Sequence, residues 1–369
     1  MKTQKGITLI ALIITIIVML ILVGVSVSVA LNTGLFKTAQ SAAKNTQIAR
    51  EKETALSNGE INVGGTDISI DEYIDRLSTG MPVELKVGDI IEYTPASNYT
   101  SESPYVVSNE EIADLKLAGC SGSFYTDMTN AEWKVIAVEG NTIKIIPNVV
   151  SSSKLTLTGA NGWNNSIDAL NSVCGAIYGN TTSEKYTATA KSITVKDING
   201  ITGYESTPSE KSYHASDYGS NNYFPIEYLK EKGVETFTAD EISQGYAANS
   251  DITVENTHYG YKAETQTGFN TKFANWVNLG SVYWLASRCV STYQDYSVAN
   301  GTLYSAFCVR YLSKVGNVGD DSVLVTKPIE YTPNYAVRPV VSLTPTVSPT
   351  IEKTEGEGDS AINYWTFGE

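Results

Sequence analysis

The sequence contains few of the residues that bind metals or carry out nucleophilic catalysis. It has two histidines, His214 and His258, and four cysteines with no Cys-x-x-Cys pair. Structural metal sites need cysteines and histidines clustered at short spacing, so no metal site is predicted. Covalent catalysis needs a nucleophile beside a base, and both histidines lie in an irregular stretch. The sequence therefore predicts a protein that is not an enzyme and that holds no cofactor.

Positive charge is scarce as well. Lys and Arg total 26 against 40 Asp and Glu, for a formal net charge of −14. Proteins that bind phosphate backbones carry clustered basic residues, so nucleic acid is excluded as a partner. Only 18% of the residues are charged, which is typical of a soluble, weakly charged outer surface.

The cysteines are even in number and are candidates for one or two disulfides if the domain lies outside the cytoplasm. They are Cys120, Cys174, Cys289 and Cys308. Four cysteines allow three connectivities, and the spacing does not choose among them. Free buried thiols in reducing surroundings are the alternative.

Charge is absent altogether between Ile7 and Phe36. Residues 7–30 are long and apolar enough to span a bilayer core, which needs about 20 residues of helix. Lys2 and Lys5 precede this run and predict a cytoplasmic N-terminus with the remainder of the chain outside. Residues 31–58 are rich in good helix formers and are expected to continue the helix.

This N-terminus resembles the class III signal of type IV prepilins and pseudopilins, in which a short basic leader ends in glycine before an apolar helix. The resemblance implies that residues 1–6 are a leader, that a prepilin peptidase cuts after Gly6, and that Ile7 becomes N-methylated. It also implies other pilin-like subunits as partners, bound through the N-terminal helix. An uncleaved signal-anchor helix is the alternative.

One position departs from that family. Its members usually have a glutamate at the fifth mature position, where this sequence has Ala11. A carboxylate within lipid is costly unless it is paired, and in the family it neutralises the terminal amine of a neighbouring subunit. Ala11 therefore weakens the expectation that the chain polymerises, while leaving the expectation of processing intact.

The outer part is expected to be a head of residues 85–345, preceded by a linker of residues 59–84 with a short helix at Asp67–Leu77. Residues 346–369 are expected to form an acidic linker that ends in a last strand or an exposed tail. Residues 203–262 show no sustained period and indicate long loops or an insertion.

Alternation or helical spacing predicts six further elements within the head. Two of the strands are expected to form a hairpin that turns at Gly140-Asn141. These elements are the strands Trp133–Glu139, Thr142–Pro147, Ser281–Ser287, Ser305–Ser313 and Tyr335–Leu343, and a helix at Asp168–Tyr178.

Three short motifs in the head carry a second resemblance. They are Trp133–Ile136, Tyr283–Arg288 and Val337–Leu343. In this order they are similar to a domain of surface proteins of gut Firmicutes, which itself is similar to C-type-lectin-like and formylglycine-generating-enzyme-like folds. The resemblance implies an α+β protein: a long N-terminal transmembrane helix followed by a β-rich, lectin-like globular head.

Formylglycine-generating enzymes use two cysteines near the end of the domain. The resemblance to them therefore makes Cys289 and Cys308 candidates for a catalytic pair. Cys308 lies in an apolar strand, however, where an inward side chain would pack in the core. No copper- or calcium-ligand pattern accompanies the two residues, so packing is the preferred interpretation.

Aromatic residues indicate a carbohydrate surface, because aromatic faces stack on sugars and amide groups hold hydroxyls. The exposed candidates are Trp163, Asn164, Tyr293 and Tyr296, and the ligand would be a surface glycan. Trp284 is expected in the core. A purely structural head is the alternative.

Arg310 and Arg338 are cations within apolar strands, and each is expected by default to face water, as a charge on an alternating strand can. If either is buried, it must pair with a carboxylate or with backbone carbonyls. Asp295, Asp320 and Glu330 are the candidate carboxylates.

Together these patterns predict a non-enzymatic type IV pilin-like subunit, minor pilin or pseudopilin, that acts in surface filament assembly, adhesion or secretion. It would be single-pass in the cell membrane with an extracytoplasmic head, and would be displayed on a surface pilus if it assembles. The alternative is a membrane-anchored surface binding protein that does not polymerise.

Overall fold

The computed structural model describes residues 57–63, 66–108, 117–127, 131–203, 212–214, 259–261, 274–295, 302–325, 331–358 and 361–368, with six isolated positions. The leader, nearly all of the expected transmembrane helix and most of its continuation lie outside the described residues. Within the described part, no helix is both long enough and apolar enough to cross a membrane. The chain divides into two compact units, Met1–Ile74 and Asp75–Glu369.

The linker expected at residues 59–84 is structured. Strands β1 (Glu60–Val63) and β2 (Thr66–Ser69) pair antiparallel, and helix α1 (Ile70–Thr79) follows directly. The helix begins three residues later than predicted because Asp67, Ile68 and Ser69 belong to the strand pair. The Ser69 hydroxyl then accepts a hydrogen bond from the Glu72 amide at 3.1 Å, which satisfies one of the open amides of the first turn.

Two seven-stranded sheets make up the described part of the second unit. Sheet I consists, in spatial order, of β14 (Val318–Val325), β13 (Thr302–Leu312), β12 (Tyr283–Asp295), β15 (Asn334–Ala336), β8 (Lys154–Leu157), β5 (Cys120–Phe124) and β4 (Tyr105–Val107). All its pairs are antiparallel except β12 with β15.

Sheet II consists, in spatial order, of β17 (Pro349–Glu355), β18 (Ile362–Phe367), β3 (Ile90–Ile91), β6 (Trp133–Glu139), β7 (Thr142–Pro147), β16 (Pro339–Pro345) and β9 (Tyr186–Ser192). Only β18 and β3 run parallel. A separate antiparallel pair, β10 (Ser212–His214) with β11 (Tyr259–Tyr261), lies in the expected insertion, most of which is outside the described residues.

Four further helices accompany the sheets: α2 (Gly159–Asn164), α3 (Ser166–Tyr178), α4 (Val195–Thr202) and α5 (Ala274–Val277). Helix α4 has defined ends. Thr194 and Asp197 form a reciprocal capping box at its start, and Gly203 stops it with a left-handed φ of 63°.

The largest of the three hydrophobic clusters among the described residues joins both sheets and α3. It contains Trp284 and Phe307 from sheet I, Trp133 from sheet II and Leu170 from α3, each no more than 2% exposed. Burying a side chain of this size contributes about 1.5–3 kcal/mol. The prediction that Trp284 is a core residue is confirmed.

The strongest local patterns are confirmed. Strands Trp133–Glu139 and Thr142–Pro147 form the predicted hairpin, and Gly140 takes the positive φ of 56° that its turn requires. The predicted helix at residues 168–178 is α3, which begins two residues earlier. A head rich in β-strands, arranged in several sheets, is therefore correct.

The acidic linker expected at the start of residues 346–369 is instead strand β17, and the last strand expected at their end is present as β18, so this segment belongs to sheet II. Its attachment is the buried carboxylate of Asp89, which accepts hydrogen bonds from the Trp365 indole at 2.8 Å and from the Asn363 amide at 3.1 Å. A third bond, from the Lys86 amide at 3.2 Å, closes the loop before β3. Long-range pairing thus overrides a composition that is locally typical of a linker.

Both arginines singled out in the sequence are buried, and they use different partners. Arg310 lies 3.8 Å from Asp320, so one of the three predicted carboxylates is its partner. Arg338 donates instead to the backbone carbonyl oxygens of Pro147 and Trp276.

Replacing Asp89 with Asn tests the attachment of the C-terminal strands. The Asn side chain keeps the size of Asp but turns one acceptor into a donor that faces N–H groups, so we expect a loss of about 2 kcal/mol in the free energy of unfolding. Urea denaturation of Asp89→Asn and of the control Glu184→Gln, an exposed residue just before β9, measures the difference. Equal stability of the two variants would contradict the role given to Asp89.

Candidate ligand-binding pocket

The structure places Trp163 in the core, so the prediction that it is an exposed sugar platform is wrong. Its side chain is 0% exposed, and its indole donates to the Cys308 carbonyl oxygen at 3.1 Å. The ring packs edge-on against Phe307, and the Arg288 guanidinium lies 4.5 Å from its centroid. Trp163 lies in the short helix α2, in which Gly162 and Trp163 are the buried residues.

The structure describes the other three ligand candidates only in part. Asn164 is half-buried, and its backbone oxygen accepts from Arg288 at 3.0 Å. Tyr293 lies in strand β12, paired with Tyr304 of β13, and not in a loop as predicted. Tyr296 lies outside the described residues, as do the processing residues Gly6 and Ile7.

The four cysteines are buried and not bridged. Burial raises the pKa of the Cys120 thiol to about 12 and also raises the pKa of Cys174. Both belong to the large core. Cys289 and Cys308 are direct cross-strand partners in β12 and β13.

A cavity of about 420 Å³ lies on the outer side of sheet II. Its floor is built by strand register. Ser342 of β16 is opposite Lys144 of β7 on one side and opposite Thr189 of β9 on the other, and Val340 is opposite Lys191. Side chains directly opposite each other on adjacent strands share a face, so these residues form two adjoining rows.

The walls of the pocket come from outside the sheet. The first turn of α4 contributes Thr194, Lys196 and Asp197, and Gln244 and Tyr246 lie across from them. The Tyr246 hydroxyl accepts from the Lys191 ammonium at 3.5 Å. Polar hydrogen-bonding groups and lysines therefore surround the opening.

The electrostatics of the pocket oppose those of the whole chain. Three lysines and one aspartate line it, a local balance of +2 in a chain with a net charge of −14. The Asp197 carboxylate already accepts from the Thr194 amide at 2.8 Å and from its hydroxyl at 2.6 Å. Lys144 is held by Glu139 at 2.8 Å. The pocket is thus a local positive site.

This arrangement is suited to holding a ligand with acidic and hydroxyl groups. Ammonium groups form strong hydrogen bonds with anionic oxygens, and serine and threonine hydroxyls both donate and accept. The size falls within the usual range of small-molecule sites, about 300–1,000 Å³. The described residues that line the pocket include neither histidine nor cysteine.

Sequence reasoning missed this pocket. Its lysines stand singly in three separate segments, and each has the spacing of an ordinary outward-facing residue. Only the order β7-β16-β9 brings Lys144 and Lys191 onto one face. A basic site in an acidic chain becomes visible only after the strands are paired.

A half-buried aromatic group on sheet I was also missed. The rings of Tyr311 and Tyr335 lie 5.1 Å apart, and the Tyr335 hydroxyl donates to the Asp321 carboxylate. Burial and this carboxylate raise the pKa of Tyr335.

A second cavity, of about 340 Å³, is lined mainly by small residues around Asn180 and Thr189, and none of its lining residues is charged.

Comparisons with protein-family models, with curated proteins and with solved structures find no match to the chain.

Proposed function

We propose that the chain is a non-enzymatic, type IV pilin-like surface protein, held in the cell membrane by residues 7–30 with its head outside the cytoplasm. One observation carries the proposal: Lys2, Lys5 and Gly6 stand immediately before the uncharged run that begins at Ile7. The compact unit Asp75–Glu369 supports it, because such a unit is what an anchored surface protein would present.

In this proposal a prepilin peptidase removes residues 1–6 and Ile7 is methylated. The helix then associates with other pilin-like subunits in or above the membrane. Ala11 provides no carboxylate to pair with a neighbouring terminal amine, so the chain fits a minor pilin or pseudopilin better than a major one.

Mass analysis of the N-terminus, on protein isolated from its native cells, tests the processing step. We expect a mature chain that begins at methylated Ile7, because the leader and apolar run match the peptidase signal. In the matched variant Gly6→Glu, the small residue before the cleavage point is lost and the precursor should accumulate. An intact Met1 in the unaltered protein would overturn the proposal.

Assembly is tested separately by shearing cells without detergent. If the chain polymerises, shear should release it as high-molecular-mass filaments that sediment. The variant Ala11→Glu restores the carboxylate and should raise the released fraction, because it can pair with a neighbouring amine. A protein that stays wholly in the membrane in both forms would favour anchored display without polymerisation.

The pocket favours a second candidate function, a membrane-anchored binding protein for an acidic surface glycan. A uronic or sulfated sugar offers the anionic oxygens that Lys191 would bind and the hydroxyls that Ser342 and Thr189 would meet. The β-rich head is compatible with the lectin-like fold that the sequence motifs imply. The positive pocket within an acidic chain is the observation that supports this candidate.

Titration of the full chain with a uronic-acid oligosaccharide and with its neutral counterpart tests the second candidate. We expect binding of the acidic sugar alone, weakened by added salt. Lys191→Gln removes one charge-assisted bond and should raise Kd roughly tenfold. The control Lys154→Gln, an exposed residue of β8, should leave Kd unchanged. Equal effects of the two substitutions, or equal binding of both sugars, would contradict a specific site at the pocket.

A further inference from the structure

Cys289 and Cys308 form a cluster of reactive side chains apart from the lysine pocket. They are exact partners in the register of β12 and β13, and both are 0% exposed. Their two sulfur atoms and a carboxylate oxygen of Asp320 all lie within 4.8 Å of one another. Directly opposed residues of antiparallel strands have Cα atoms about 4.5–5.5 Å apart, which is within the range that a disulfide spans.

The surroundings of the Cys308 sulfur atom favour its uncharged form. The hydrogen bond to Cys289 and burial raise the pKa of the Cys308 thiol, and the negative charge of Asp320 raises it further. The Arg310 guanidinium, 3.8 Å from Asp320, supplies the balancing positive charge for that carboxylate. A metal held here would have only these three ligands among the described residues, one fewer than a structural tetrahedral site uses, whereas a disulfide needs no further group and leaves the Asp320–Arg310 ion pair as it is.

We propose that Cys289 and Cys308 form a disulfide that closes the β12–β13 pair when the head meets an oxidising environment. Each sulfur gives up its hydrogen and one S–S bond forms. The two protons and two electrons pass to a small-molecule or protein disulfide, which is reduced to two thiols. The inference rests on the proposed function only in that a head outside the cytoplasm would meet the oxidant there. The reaction itself can be followed with isolated protein.

Burial decides when the bond can form. A thiolate is the attacking species in disulfide exchange. Because the Cys308 thiol is held protonated and neither cysteine has exposed surface, the two react slowly in the folded state. Oxidation therefore takes place while β12 and β13 are still open, during folding. Once the strands are packed, the same burial keeps reductants from the bond.

Cys120 and Cys174 are expected to remain thiols. The Cys120 sulfur is directed at the Gly162 carbonyl oxygen at 3.9 Å, and Cys174 lies on the buried face of α3. Neither is opposite another cysteine in the strand register. The pattern predicted is one bridge and two free thiols, so only one of the one or two disulfides that the sequence allows would form.

Oxidative refolding tests the proposal. The full-length chain, reduced and unfolded, is refolded into detergent micelles with a mixture of reduced and oxidised glutathione, denatured, and alkylated. We expect two alkylated cysteines, a chain lighter by two hydrogen atoms before alkylation, and a peptide that links Cys289 to Cys308. Cys120→Ser and Cys174→Ser should keep the bridge, while Cys289→Ser should lose it.

Three results would overturn the inference: four alkylated thiols after refolding, a bridge that includes Cys120 or Cys174, or a bound divalent metal retained in place of the bridge. The unaltered protein refolded with and without oxidant serves as the main comparison, so a variant that fails to fold does not decide the outcome. An intact Met1 in cells would refute the processing proposal without touching this result.

Discussion

The guanidinium of Arg338 is the contact on which the arrangement of the two sheets depends. It is 1% exposed and donates to the carbonyl oxygens of Pro147 and Trp276 and to the Tyr283 hydroxyl at 3.0 Å. These acceptors belong to β7 of sheet II, to α5 and to β12 of sheet I. A buried cation is costly unless its donors are satisfied, so all three elements must be in place together. Arg338 also lies where the chain passes from β15 of sheet I to β16 of sheet II.

That crossing determines where the pocket lies. Strand β16 begins directly after Arg338 and lies between β7 and β9. Ser342 is therefore opposite Lys144 and Thr189, and Val340 is opposite Lys191. A shift of one residue in β16 would turn both floor residues to the opposite face of the sheet. The positive charge of the pocket is therefore a consequence of strand register and of the capped start of α4, and the acidic composition of the chain gives no indication of it.

Local pattern was a good guide wherever one segment carried its own signal. The hairpin at Trp133–Pro147 alternates on both sides of a two-residue turn, and α3 has apolar residues at helical spacing. The pattern failed where long-range contacts decide. Trp163 follows glycine and asparagine and was interpreted as exposed, yet Arg288 and Phe307, more than a hundred positions away, enclose it. Residues 346–369 have the composition of a linker, but they form strands of sheet II, where the Asp89 carboxylate accepts a hydrogen bond from the Trp365 indole.

The sequence by itself determined the alternation that makes the head rich in strands. The prediction of an anchor also rests on the sequence alone, because Gly6 and the uncharged run after it are contiguous. Tertiary structure decided which distant residues meet. It paired Cys289 with Cys308, and it brought Lys144 and Lys191 together. The physical reason is that periodicity depends on neighbours a few positions apart, whereas sheet order and register depend on burying one shared core across the whole chain.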